Sequence, residues 1–432
     1  MKYFFVTSTL LLFFLCSSCA SVNTAIPSEG RRIVADFSGI VHAGETNTEE
    51  EFDYLKYMGV NWVLHTFYWD RIEPQQDNWN YENYDVMVNN AVNAGVKVLG
   101  VLAYDNWWIH PDQRMHNYIP PEWLPDFLNY VRRTVEHFKG RVDAWCVWNE
   151  PNVRRFWKGT VDEYTELTRQ AADAIKETDS DVIVLGGAFN RNVTGLPKKM
   201  INKLFESGAM KNVDAAAFHP YEISANRAEK LYEQFKKMVN QYGYDEIWVT
   251  EIGYPTGGWY PTKVSEVNFP LRIVKTFTLL AVSGAKRIFW YQMFDPPNPS
   301  KNNSEDFFGL VRAENNYISK GAEAFRLCVL NISNSICYAY TQDDLPASLR
   351  AFWYKRENGG ALVLWKDGIG STQVSLKLPG VDHLWHDIVT GSASIINSEI
   401  TIKVGNEPVF ITWRLAEDST ENAENPVIMR KK

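Results

Sequence analysis

A chain of 432 residues is long enough for one large α/β domain and a smaller one, with a core that needs no disulfide or metal scaffold. Its formal net charge of −8, with lysine and arginine scattered, removes the electrostatic case for nucleic acid or, by default, for a polyanionic substrate, and points to a neutral ligand. The 16 tryptophans, 21 tyrosines and 23 phenylalanines suit both a large core and flat platforms for sugar rings, and composition does not separate these uses.

The first residues read as an address rather than as fold. Lys2 precedes an apolar stretch from Tyr3 to Leu15, followed by Cys16-Ser17-Ser18-Cys19. This order resembles a bacterial lipoprotein signal over residues 1–18 with Cys19 as the lipidated N-terminus; because Cys16 stands where the usual leucine would, a plain secretory signal is the alternative. Both imply export to the cell envelope, facing the periplasm or the cell surface. The apolar stretch is shorter than the roughly 20 residues of a spanning helix, so a membrane anchor, if present, is lipid. Residues 19–30 are small and polar and read as a linker.

Strand-like runs then alternate with amphipathic stretches. The expected strands are Ile33 to Phe37, Trp62 to Phe67, Val96 to Ala103, Ala144 to Trp148, Val182 to Gly186, Ala215 to Phe218, Ile247 to Thr250 and Arg287 to Tyr291. Helical spacing marks Tyr81 to Ala94, Trp123 to Phe138, Val161 to Glu177, Ala228 to Tyr242 and Phe269 to Ser283. Eight such strands predict a (β/α)8 TIM barrel over residues 31–328. A doubly wound sheet is the rival, but no Gly-rich phosphate turn follows an early strand.

From residue 329 to 415 the runs become short and alternating, separated by Asn358-Gly359-Gly360, Pro379-Gly380 and Gly405-Asn406, which predicts a small antiparallel β-sandwich. Residues 416–432 read as a polar, frayed tail. Cys146 lies in an apolar run and reads as a core residue; for Cys328 and Cys337 a local disulfide and two free thiols are both compatible with the spacing.

Two strings carry the chemistry. Trp148-Asn149-Glu150-Pro151 and Trp248-Val249-Thr250-Glu251-Ile252-Gly253 each place a glutamate where a buried strand opens into a loop. In a barrel, those ends share one mouth. Either glutamate alone is as readily a salt-bridged or capping carboxylate as a catalytic one; the pair at matching strand ends points to an acid and a nucleophile.

With His219-Pro220-Tyr221 after the sixth strand and Trp290 in the eighth, these motifs resemble the clan A retaining glycoside hydrolases over roughly Ile33 to Phe325. The run Trp69-Asp70-Arg71-Ile72-Glu73-Pro74 with Trp79 to Tyr84 is similar to families 39 and 42, and the seventh and eighth strands are similar to family 5. The resemblance implies Glu150 as general acid/base, protonated at rest, and Glu251 as an ionised nucleophile. It also implies that Asn149 bonds the sugar 2-hydroxyl, that His219 and Tyr221 orient the nucleophile, and that Trp290 floors the central subsite. Tyr104, Trp107 and Trp108 after the third strand and Trp259 and Tyr260 after the seventh suit flanking subsites as mouth-loop aromatics, though loop packing explains them equally. Related enzymes often carry an arginine in strand two; here the stretch reads Asn61 to His65 without one, so either His65 replaces it or a donor arrives from elsewhere. No metal or other cofactor is implied, since His110 and His116 lack ligand spacing and the retaining mechanism needs no ion.

The chain is therefore expected to be an exported retaining β-glycosidase acting on a neutral carbohydrate, with the mouth aromatics favouring endo action. An exo enzyme such as a β-xylosidase is the alternative, and a glycan-binding lipoprotein without chemistry is the rival from another class.

Overall fold

The computed structural model describes residues 30–42, 48–110, 117–191, 195–259, 263–312, 317–340, 345, 348–416 and 426–430. The leader, the Cys19 anchor and all but the last residue of the linker lie outside them, as do His116 and Tyr260. No helix among the described residues is long and apolar enough to cross a membrane.

After a short strand β1 (Arg31–Ile33), eight parallel strands close into a barrel: β2 (Ser38–Val41), β3 (Trp62–Tyr68), β4 (Lys97–Ala103), β5 (Ala144–Val147), β6 (Ile183–Asn190), β7 (Ala215–His219), β8 (Ile247–Ile252) and β9 (Arg287–Trp290). The expected first strand is displaced. Residues 35–36 form a turn, so the apolar run splits: Ile33 pairs outside the barrel with Ser335, and Ser38 begins the barrel against Ile288. Helices α1 (Glu49–Met58), α2 (Trp69–Ile72), α3 (Glu82–Asn93), α4 (Leu124–His137), α5 (Val161–Thr178), α6 (Gly195–Glu206), α7 (Ala225–Asn240) and α8 (Asn268–Ser283) intervene between strands. The well-patterned ones fall within a few residues of their expected bounds.

Side chains alternate across each barrel strand, and that alternation decides what enters the lumen. Trp62, Trp248 and Phe289 fill the amino-terminal end, with the Trp62 and Trp248 rings 5.2 Å apart. Gly39 is required there, because a Cβ would lie 2.3 Å from the Phe289 ring. On the outer face, Phe67 meets Tyr84 of α3 and Phe138 beyond α4, and Phe218 stacks on Phe235 of α7 at 4.2 Å. Each βα unit thus buries one strand face under its helix and leaves the other for the lumen.

Past β10 (Val311–Arg312), β11 (Tyr317–Ile318) and α9 (Lys320–Ile332), the chain forms β12 (Ser335–Ala339), β13 (Leu349–Arg356), β14 (Gly359–Lys366), β15 (Thr372–Lys377), β16 (Val381–His386), β17 (Ala393–Ile395), β18 (Glu399–Val404), β19 (Val409–Arg414) and β20 (Val427–Arg430). A seven-stranded sheet in the order β1-β12-β13-β14-β19-β16-β17 faces a three-stranded sheet, β18-β15-β20. Two expectations change here. The larger sheet recruits its edge from β1 at the amino-terminal side of the barrel, and Val427–Arg430 of the expected frayed tail pairs with β15. Cys328 and Cys337 are buried free thiols, as is Cys146.

Strand β14 shows how the two parts are joined. Leu362 and Leu364 enter the sandwich core beside Trp353 and Ile411, whereas Ala361, Val363 and Trp365 point the other way and merge with the barrel core. Trp365 is completely buried, with Phe352 5.2 Å away and the Lys275 ammonium of α8 5.4 Å above its ring. Truncating it removes one of the largest side chains at this seam. Trp365→Ala should cost about 3–5 kcal/mol in denaturant unfolding; a cost below about 1 kcal/mol would mean that the seam contributes little to stability.

Candidate active site

Glu150 and Glu251 emerge at the carboxyl ends of β5 and β8, and both reach the barrel mouth. The backbone bends sharply to present them. Trp148 (φ 66°), Glu150 (φ 47°) and, across the neighbouring strand end, Ala188 (φ 40°) all adopt left-handed conformations that L-residues seldom take. The Glu150 amide donates to the Ala188 carbonyl at 3.1 Å, tying the two bends together. At β8 the pairing with β9 shifts register between Val249 and Ile252, so that successive residues Thr250 and Glu251 both serve the site.

His219, at the end of β7, stands between the two acids. Its Nδ1 lies 2.9 Å from Glu150 Oε1 and 3.5 Å from Glu251 Oε2, and its Nε2 lies 2.9 Å from the Thr250 hydroxyl. One donor atom from each of Glu150, His219 and Glu251 lies within 4.8 Å of the others. That set could hold a cation by distance; without one, the imidazole nitrogens are engaged by Glu150 and by the Thr250 hydroxyl. Asn190 Nδ2 donates to the same Glu150 oxygen at 2.5 Å, and Asn190 is itself clamped to Asn152 through its backbone amide (2.8 Å) and carbonyl (2.7 Å). With Oε1 taken, Oε2 of Glu150 is left for a substrate.

Four tyrosines surround the acids. The Tyr221 hydroxyl donates to Glu251 Oε2 at 3.0 Å, and Asn149 Nδ2 donates to the Tyr104 hydroxyl at 3.0 Å. Tyr291 packs edge-on to Tyr221 and Phe308, and its hydroxyl bonds the Glu305 carboxylate. Burial, reinforced by the field of Glu251, lifts the phenols of Tyr68, Tyr104, Tyr221 and Tyr291 above their ordinary range, so all four remain donors. Beneath the pair, burial and Glu251 push the Cys146 thiol up to about 12, which keeps it neutral.

The ionisation pattern departs from the expected one. Burial, with the like charges of Glu150 and Glu305, pushes Glu251 up to about 7, against the opposing effects of His219 and the Tyr221 hydrogen bond. Burial disfavours the His219 imidazolium, but Glu251 and Glu150 outweigh it and raise its proton affinity. The positive partner of Glu251 is thus His219 rather than an arginine.

Two expected site residues sit outside the mouth for one reason. His65 and Trp290 occupy outward phases of β3 and β9. His65 lies among His42, Phe67 and Tyr84 with Nδ1 3.0 Å from the His42 carbonyl, and burial lowers its pKa to about 3. Trp290 is fully buried against Phe269 and Phe277 of α8. Tyr68 and Tyr291, respectively three residues and one residue later, take the inward phase. Trp108 is packed against Trp69 and Trp123, while Trp107 and Trp259 are exposed at 49% and 78%. Glu73 of the quoted Trp69–Pro74 run is a buried capping group, accepting from Trp69 Nε1 and the Asp77 amide, both at 2.7 Å. The unexpected members are Tyr68, Asn190, Tyr291 and Glu305.

A family model described as the glycosyl hydrolase catalytic core matches residues 89–312, over half of the chain, spanning both glutamates. The chain belongs to the glycosyl hydrolase catalytic core family. The chain is 28% identical over 227 residues to endo-1,4-beta-xylanase B of Thermotoga neapolitana, covering 46% of the present chain and 60% of that one, so that it spans less than two thirds of that relative's length. It is 38% identical over 80 residues to a beta-xylosidase of Caldicellulosiruptor saccharolyticus, covering 17% and 16% of the two chains. Among solved structures, a family 39 glycoside hydrolase from Bacteroides cellulosilyticus WH2 superimposes with a TM-score of 0.73 at 17% identity, over 89% of this chain and 81% of that one. A GH30 endoxylanase from Clostridium papyrosolvens C71 gives 0.63 at 15% identity, over 90% and 98%. Those likenesses share the fold.

The hydrogen bond from Tyr221 stabilises the ionised form of Glu251. A carbon-13 carboxyl titration should give Glu251 a midpoint near 7, and Tyr221→Phe should move it upward; an unmoved or lowered midpoint would contradict this electrostatic account.

Proposed function

We propose that this protein hydrolyses β-linked neutral polysaccharide or oligosaccharide with retention, through a covalent glycosyl-enzyme. The observation that carries this reading is the approach of the Glu150 and Glu251 oxygens to within 4.8 Å at one mouth. Double displacement needs carboxyl groups about 5–5.5 Å apart, whereas inversion needs about 6.5–9.5 Å to admit a water.

Ionised Glu251 attacks the anomeric carbon while Glu150, through Oε2, protonates the departing oxygen. Loss of the negative charge on Glu251 then removes a repulsion on Glu150, which takes the proton from the incoming water. Asn190 and His219 hold the opposite oxygen of Glu150, and Tyr221 holds Glu251. Asn149, tied to Tyr104, is positioned for the sugar 2-hydroxyl. The sequence likeness to a xylanase and a xylosidase supports a β-xyloside as substrate, and the exposed Trp107 and Trp259 favour internal cleavage of a chain. The leader pattern supports an exported, lipid-anchored protein. Retention of both acids in mutual reach argues against a purely binding role.

A mechanism-based 2-fluoro glycoside should add covalent mass on Glu251; a protein that only binds glycans gains none. Glu251→Ala should abolish turnover, while Glu150→Ala should retain partial activity on aryl glycosides with good leaving groups. Equal losses on aryl and natural substrates would remove Glu150 from the acid role. Because only ionised Glu251 attacks, kcat/KM should climb as pH rises towards about 7.

A further inference from the structure

A cleft of about 690 Å³ separates α8 from the sandwich and takes no part in the chemistry above. Its size falls in the range of small-molecule sites, which favour interfaces between structural units. Helix α8 follows β8, so the α8 residues lining the cleft, Asn268 to Lys275, lie on the outer wall near the end that carries Glu251. The lining charge runs against the chain as a whole. Arg272, Lys275 and Lys403 face Asp387 and Glu407, in a protein whose net charge is −8. Asp387 is spent locally, accepting from the Val389 and Thr390 amides at 3.0 Å each.

Lys275 is the centre of this arrangement. Its ammonium donates to Asn406 Oδ1 at 2.7 Å and lies 5.4 Å over the Trp365 ring, and no described carboxylate forms an ion pair with it. Burial lowers its pKa to about 8, with Arg272 and Arg350 adding to the effect and Asp367 and Glu407 opposing it. Nearby Arg350 is neutralised by a two-pronged pair with Glu229, at 2.7 and 2.9 Å. Lys275 is thus a half-buried cation with neutral direct partners, and an anion entering the cleft would form a charge-assisted pair with it. The half-buried Trp385 lines the same cleft and brings an indole to it.

We propose that this cleft is a second saccharide site that takes a sugar carrying a carboxylate, such as a uronic acid residue, with its anion on Lys275 and its ring against Trp385. Lys403 supplies a second cation at the rim. The site lies outside the mouth, so a decorated polysaccharide can be held there while a neutral stretch of the same chain lies across the acids. This use rests on the hydrolase reading; binding itself does not.

Calorimetry on the full chain carrying Glu251→Ala tests it, with a glucuronosyl-xylose disaccharide, xylobiose and inorganic phosphate as probes. The acidic disaccharide should bind at least tenfold more tightly than xylobiose. Lys275→Met and Trp385→Ala should each weaken it about tenfold, and Lys403→Met, at an exposed position, should weaken it severalfold without altering thermal unfolding. Equal binding of acidic and neutral sugars, indifference to all three substitutions, or phosphate binding as well as the acidic sugar would overturn the proposal. Turnover by the unsubstituted enzyme, measured separately, tells failure of this site from failure of the hydrolase reading.

Discussion

A buried imidazole held between two carboxylates organises this protein. His219 must be inside the lumen to meet Glu150, Glu251 and Thr250, and its neighbours along β7 leave room for it: the inward-phased Ala215 and Ala217 are small. Without that proton-bearing bridge, two acids buried within 4.8 Å of one another would face mutual repulsion with little water to relieve it. The left-handed bends at Trp148, Glu150 and Ala188, the register shift in β8 and the Asn152–Asn190 clamp all bring side chains to that one point.

The same cluster explains the raised proton affinity of Glu251. A carboxylate surrounded by apolar walls and phenols is poorly solvated, and the Tyr221 and His219 contacts offset that only in part. The lumen below is closed by tryptophans and a neutral thiol, so water has little access from beneath. The sandwich lies against the outer wall through α8 and Trp365 rather than over the mouth. Its contribution is to stability and to the cleft beside α8.

Much of the architecture was legible because barrel strands and their helices carry strong periodic patterns. The two acids were legible because each follows an apolar run and precedes a loop, a position that a barrel converts into a shared mouth. His65 and Trp290 were misplaced in phase: the continuous apolar runs Trp62 to Leu64, just before His65, and Ile288 to Trp290 show no alternation that would tell lumen from helix side. Counting alternate positions from a lumen-facing residue, Trp62 or Phe289, reaches Tyr68 and Tyr291 instead. Asn190 and Glu305 had no such signal, since one sits past a bulge and the other on a short 3-10 helix 14 residues beyond Tyr291, and only chain path brings them to the mouth.

Sequence by itself determined the fold class, the two carboxylates and the motifs around them, because local periodicity and strand-to-loop boundaries are written into neighbouring residues. Tertiary structure decided which face of each strand looks inward, which residues hold the acids, where β1 and β20 pair, and which group opposes the charge of Glu251. Those outcomes depend on barrel closure and on burial, through contacts between residues far apart in the chain whose energies arise only when the whole lumen is assembled.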